Sequence, residues 1–392
     1  MCGTQRGAPK DYLLKGNFFT SLVMTRVLYS AFRLGFLLWL FWLPGPVRAT
    51  MQSAPAQGTL AQELAGENPF FTSEQEFRFT LVLPIDDILR DRGANPALHA
   101  ATLLYQDETG KKTSLPVQVR VRGNRRKDPT VCDFPPLLIS FPKAFSASTP
   151  FGKVQELKMT THCLEDSYVL REYLVYKLYN ALTTMSFRAR LCRVTYQDAN
   201  GKRKSAEHQS FLLEEASAMA LRNKATIIPK LFFIGMQHTD QRKMAMVAFF
   251  QYMIGNTDWS VPYRHNIRLL SPDKNATCIP VPYDFDYCGL VMTPYAEPPP
   301  QLGITSVRQR LFRGYGFSEE IYKETRTLFN DHQKAFYNIY ELCPYLSKDE
   351  KLFASRFLED FYKTLNDPKD FERNIVRVGR RNEKQYTNIK GL

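Results

Sequence analysis

Asp258, Asn266, Asp284 and Asp286 fall within one 33-residue stretch, Ile254–Asp286, which reads IGNTDWSVPYRHNIRLLSPDKNATCIPVPYDFD. These residue types suit phosphoryl transfer. One carboxylate orients an attacking hydroxyl, an amide oxygen takes a metal ion, and a second carboxylate joins magnesium to the phosphates. A single loop aspartate needs no such role, because Asp favours turns and helix caps on its own account. Three carboxylates and an asparagine in this order around a hairpin are harder to attribute to turn chemistry.

The elements expected to hold these groups are a helix before them and a hairpin between them. Residues 240–254 read as a helix with an apolar face of Met246, Val247, Phe250, Met253 and Ile254, stopped by Gly255. Short strands are expected at 267–270 and 279–283, and loops fixed between a helix and a hairpin place polar groups well. Upstream, period-two alternation marks strands at 77–83 and 118–122, and a short apolar run marks another at 137–141. Together, residues 70–160 read as an antiparallel sheet with little helix. An amphipathic helix begins at 166 with Asp166 or Ser167 as its cap, and strands 190–197 and 208–214 flank the Asn200-Gly201 turn. Beyond residue 300 the chain reads as mostly helical, with a capping box at Ser347–Glu350. The aromatic stripe of Phe312, Tyr315, Phe317 and Tyr322 reads as core of that part. The layout is α+β, a β-rich half meeting a helix-rich half near residue 215, with a cleft between two lobes.

Composition bounds the class. The 392 residues are 44% hydrophobic and 23% charged, which excludes disorder. The net charge of +13 is spread too thinly to indicate nucleic-acid binding, and it suits anionic ligands. Leu34–Leu43 is apolar but too short to span a membrane; Arg26 and Arg33 precede it and Pro44-Gly45-Pro46 follow. That pattern, ending in Val47-Arg48-Ala49, reads as a signal peptide over 1–49, or else as a retained anchor. A flexible tether over 50–69 and export to the periplasm, cell envelope or exterior follow from the first reading, leaving no stable membrane-spanning segment in the mature chain. Six cysteines remain beyond Cys2, none with zinc spacing, and Cys132–Cys163 is the favoured disulfide. His162, His208 and His265 lie too far apart in sequence for metal binding. His265 reads as positional. The run Arg120, Arg122, Arg125, Arg126 and Lys127 reads as a solvated strand-and-turn face, with phosphate gripping as the other reading. Asn275-Ala276-Thr277 fits a glycosylation sequon or a simple turn.

Several motifs also resemble the spore-coat CotH kinase family, remote relatives of protein kinases. Val121-Arg122-Gly123-Asn124 resembles its RGN turn. Leu157-Lys158-Met159 followed by Asp166–Tyr176 resembles its LKL and D-x-S-x-LR helix start, and Phe211–Glu215 its YLLxE strand. Tyr252–Trp259 with His265-Asn266 resembles the GNxDW…HN loop, and Tyr283–Asp286 its DFD motif. The resemblance covers about residues 117–290. It implies a two-lobed protein-kinase-like fold, with an N-lobe over 70–215 and a helical C-lobe over 216–392 carrying metal loops at 255–290. It further implies ATP and Mg²⁺ as cofactors and a protein with Ser/Thr hydroxyls as substrate. On this resemblance Asp258 is the catalytic residue, Asn266 and Asp284 are metal ligands, and Asp286 assists or orients them. Where the family carries phosphate-binding lysines this chain has Asp133-Phe134-Pro135-Pro136, which leaves Lys158 and Lys143 as candidates. Glu214 is expected near the adenine or paired with a lysine, or as a plain strand-end carboxylate. The competing readings are a non-catalytic kinase-fold envelope protein that binds a partner, favoured by the altered lysine context, and a two-metal hydrolase.

Overall fold

The first strand, β1 (Phe77–Leu83), buries Phe79, Leu81 and Leu83 and turns the alternate residues outward, as its period-two pattern requires. In this computed structural model the described residues are 68–107, 109–142, 149–152, 154–273 and 276–384. The expected signal peptide over 1–49, the expected tether up to residue 67, Lys143 and Asn275 lie outside them. A short helix, α1 (Ile85–Arg90), follows β1, and then come β2 (His99–Gln106), β3 (Lys112–Val121), β4 (Leu137–Ser140) and β5 (Glu156–Thr160). Helix α2 (Asp166–Leu182) leads into the hairpin β6 (Ala189–Asp198) and β7 (Ala206–Leu213).

These seven strands close into a barrel in the order β1-β2-β3-β4-β5-β7-β6. The strands within residues 70–160 pair antiparallel as expected, and the closing pair comes from beyond them: β1 pairs with β6 in parallel, from Phe77 opposite Cys192 to Leu83 opposite Asp198. Closure leaves no unpaired edge for another strand to join. Inward residues of every strand fill the interior, among them Leu103, Val117, Val119, Ile139, Leu157, Val194 and Leu212. The expected cap of α2 needs correcting. Glu165 holds the cap position without a side-chain bond, while Asp166 meets His208 Nδ1 at 3.0 Å.

The second part of the chain is mixed. After α3 (Ala216–Arg222) and the two-residue strand β8 (Thr226–Ile227) comes α4 (Gln241–Ile254), capped by Asp240 and ended by Gly255 in the left-handed conformation at φ 67°. Every residue of α4 from Met244 to Ile254 is buried, so its apolar face extends all round. The reason is position: α4 packs against α5 (Glu319–Asp331), α7 (Lys348–Asn366) and the hairpin strand β10 (Ile279–Pro282). Strand β9 (Ile267–Ser271) joins β10 on one side and β8 on the other. Helix α6 (Gln333–Glu341) lies between α5 and α7, and α8 (Pro368–Phe371) and α9 (Arg377–Lys384) complete the described chain. Ser347 and Glu350 form the reciprocal capping box of α7. The chain after residue 300 is less helical than expected up to Ser318, yet Phe312 and Tyr322 are buried there, with Tyr315 and Phe317 packed on the same core.

No helix among the described residues is long and apolar enough to cross a membrane. The disulfide expected between Cys132 and Cys163 is present, and Cys192, Cys278, Cys288 and Cys343 are free and buried. The bridge joins the segment after β3 to the residues that open α2. A cross-link over this separation constrains the unfolded chain, so replacing both cysteines by serine is expected to cost about 2–4 kcal/mol. Urea denaturation checks this as a lower midpoint.

Candidate active site

Gly255 turns the chain out of α4, and the next residues form a buried loop rather than a solvated one. Arg313 Nη1 donates to the carbonyls of Thr257 at 2.5 Å and Trp259 at 2.6 Å, clamping the backbone on either side of Asp258. The Trp259 ring is fully buried beneath it. Ser260 and His265 exchange backbone hydrogen bonds of 2.9 and 3.1 Å, which closes a small loop and returns the chain to Asp258. There His265 Nε2 lies 2.6 Å from Asp258 Oδ1, and Asn266 Nδ2 donates to Asp258 Oδ2 at 3.0 Å. The Asp258 carboxylate is thus held at both oxygens. With its amide nitrogen used in this way, Asn266 keeps its side-chain oxygen as an acceptor.

The hairpin delivers the other acids. Asn266 enters β9 at φ 51° and Asp284 leaves β10 at φ 64°, both left-handed and neither glycine. Residues held there cost roughly 1–3 kcal/mol each and persist only where surrounding contacts enforce them. The contact at Asp284 is its backbone N–H donating to Tyr176 Oη on α2 at 2.9 Å. Asp286 accepts from Tyr295 Oη at 3.0 Å and is buried.

Between these acids lies Arg126, from the short helical turn Arg125–Lys127. Its guanidinium reaches Glu172 Oε2 at 3.1 Å, Asp284 Oδ1 at 3.0 Å and Asp286 Oδ2 at 3.3 Å. The three carboxylates bring oxygens within 4.8 Å of one another. Burial pushes Glu172 up to about 8 and Asp286 up to about 6, in both cases against the pull of Arg126. Arg126 itself is held well above its usual range, the nearby acids outweighing the cost of burying it. One cation among three acids in a dry site keeps a proton on the cluster near neutral pH.

The cleft carries both signs of charge. It has a volume of about 290 Å³ and is lined by Asp258, Asn266, Asp284 and Asp286 together with Arg122, Lys158 and Lys230. Lys158, on β5, is lowered to about 8 by burial first and then by Arg122 and Arg268. Its ammonium lies 5.9 Å from the centre of the Tyr283 ring.

The structure therefore gathers Asp258, Asn266, Asp284, Asp286 and Lys158 into one cleft. Glu214 is not part of it. That carboxylate is buried with Arg222, at 2.8 Å from Nε and 3.0 Å from Nη2, and takes the Arg188 N–H, so its partner is an arginine on the next helix rather than a lysine. The basic run is a solvated face only in part: Arg120 and Arg125 are exposed, but Arg126 is buried and Arg122 and Arg125 line the cleft. Sequence reasoning missed Arg126, Glu172 and the His265–Asp258 contact. Glu172 carries a readable signal: with Val169, Tyr173 and Tyr176 it falls on the buried stripe of α2, where a lone acid requires a partner.

No family model matches the chain, and no curated protein is similar to it. Among solved structures it is similar to the Helicobacter pylori proinflammatory kinase CtkA, with a TM-score of 0.34 and 10% sequence identity. That similarity covers 75% of this chain and 94% of the other. A likeness of this degree carries no weight below.

Among the described residues the acid cluster that could hold a metal includes no histidine, but two histidines meet: the rings of His162 and His208 stack with centroids 3.7 Å apart, although the sequence separates them. Burial, and then His208, lower His162 to about 3 from 6.5. The unfolded imidazole takes its proton below 6.5, whereas the folded one stays neutral, so stability is complete above that pH and falls as pH drops towards 3. At pH 5 the loss from this group is about 2 kcal/mol. His162→Gln is expected to reduce the drop in urea stability between pH 7 and pH 5 by about that amount, relative to the unsubstituted protein.

Proposed function

We propose that the protein is an exported kinase-like phosphotransferase with two lobes, residues 70–215 and 216–392, that passes the γ-phosphoryl of ATP to a Ser/Thr hydroxyl of a protein. The observation that carries this reading is that one cleft is lined both by cations, Arg122 and Lys158, and by acids, Asp258, Asp284 and Asp286. A triphosphate fits the cations. An attacking hydroxyl fits Asp258, which would accept its hydrogen bond, with His265 and Asn266 fixing the carboxylate. Lys158, lowered to about 8 by burial and then by neighbouring cations, is held more firmly in its charged form when phosphate enters beside it, and this strengthens binding. The order of CotH-type motifs along the chain supports the same reading.

The donor set suits a hard divalent cation, since three carboxylates lie within reach of one another and Asp284 is part-exposed to the cleft. Asp284, Asp286 and the Asn266 oxygen would hold Mg²⁺, which offsets phosphate charge when bound. One observation favours the second reading, a non-catalytic domain that binds a partner. Arg126 already contacts all three acids, so the cluster is balanced in part without metal.

A thermal-shift titration separates the two readings. ATP with Mg²⁺ at about a hundred times its dissociation constant stabilises a binding-competent fold by about 2.7 kcal/mol, and a fold that does not bind nucleotide stays unmoved. For a kinase, Asp258→Asn is expected to lower transfer about 10²–10⁴-fold while leaving the ATP shift in place. Asp284→Ala is expected to reduce the Mg²⁺-dependent part of the shift. Phosphate transfer by both variants at the unsubstituted rate would remove these assignments.

A further inference from the structure

The segment after α3 shows an unusual surface. Leu231, Phe232 and Phe233 are consecutive and 80%, 52% and 71% exposed. Ile227, Leu221 and Tyr263 add to the same region, so it holds six of the ten exposed large apolar residues among those described. Scattered apolar side chains on a surface are ordinary, but three in a row with aromatic neighbours mark a site of contact.

The tip is also presented rather than loose. Strand β8 pairs with β9, and Ile228 N–H donates to Leu269 O at 2.9 Å. Arg264 Nη2, from the loop that holds Asp258, donates to Phe232 O at 2.8 Å. The Phe233 ring stands edge-on to Tyr263, with centroids 6.2 Å apart. The surface is therefore fixed to the same hairpin and loop that shape the cleft.

Its charge is one-sided. Between Glu215 and Asp240 the sequence contains no Asp or Glu, while Arg222, Lys224 and Lys230 are present. Arg222 is taken by Glu214, but Lys224 and Lys230 are exposed and no carboxylate pairs with either among the described residues. A projecting tip of leucine and phenylalanine flanked by free lysines matches an anionic lipid surface. Apolar side chains enter the headgroup boundary and cations meet the lipid charge. A protein partner would bury such aromatic anchors at the centre of its interface with charge depleted there, whereas unpaired lysines beside the apolar tip suit a continuous anionic surface.

We propose that the 227–234 tip docks the protein on an anionic membrane surface with the cleft beside the lipid. This inference does not depend on phosphate transfer in the cleft. Hydrogen exchange of the full chain, resolved by peptide, tests it with vesicles of phosphatidylcholine alone and of phosphatidylcholine mixed equally with phosphatidylserine. The apolar run at 34–43 reports in its own peptides and does not confuse the result. Exchange at 227–234 is expected to slow about tenfold on the anionic vesicles and not on the neutral ones, and high salt is expected to weaken the effect. Replacing Leu231, Phe232 and Phe233 together by serine is expected to abolish the slowing without lowering the melting temperature, because all three are exposed. Lys224→Glu with Lys230→Glu, which leaves the apolar tip intact, is expected to abolish it as well. Unchanged exchange on anionic vesicles would overturn the proposal, as would equal slowing on neutral ones or slowing only with an acceptor protein.

Discussion

Arg126 is the fixed point of the site. Its guanidinium joins three segments that the chain places far apart: the turn after β3, helix α2 through Glu172, and the end of the β9–β10 hairpin through Asp284 and Asp286. Each of these charges is costly to bury alone, and none is tolerable without the others. The position of α2 against the hairpin therefore follows from charge balance as much as from apolar packing. The disulfide supports the same geometry, since Cys132 follows the Arg126 turn and Cys163 precedes α2.

Around this centre the structure accepts strain. Among the described residues, Arg264, Asn266 and Asp284 are three of the six non-glycine residues with positive φ, and all three line the cleft. Such backbone is kept where a function or a tight contact requires it. Here Tyr176, Arg313 and the Ser260–His265 bridge supply the enforcing contacts, all from well-buried elements. The cleft is thus a rigid arrangement of polar groups at the junction of the barrel core and the helical core.

Much of this was legible in the sequence because it depends on local pattern. Strand alternation located β1 and the end of β3, an apolar run located β4, the Asn200-Gly201 turn located β6 and β7, and Asp240 with Gly255 bounded α4. The order Asp258, Asn266, Asp284, Asp286 around a hairpin implied that these residues share one place, as they do in the cleft, because a hairpin necessarily returns its ends together. What stayed hidden depends on long-range pairing. The parallel match of β1 with β6 has no local signature, and β2, with its weak HAATLLYQ pattern, was not marked as a strand. Arg126 looked like one member of a basic run, and only the tertiary structure shows which of five cations is buried. Glu214 failed for the same reason: a strand-end acid takes whichever cation the next helix supplies, and that is Arg222.

The account rests on the coupling between Arg126 and its acids, and a double-mutant cycle measures it. Arg126→Met alone is expected to cost about 3–5 kcal/mol, because it leaves buried carboxylates without a counter-ion. Combined with Glu172→Gln, the loss is expected to fall short of the sum of the single changes by about 2 kcal/mol or more, as read by urea denaturation. Additive losses, within about 0.5 kcal/mol, would mean that the two side chains do not depend on one another and would contradict this description of the site.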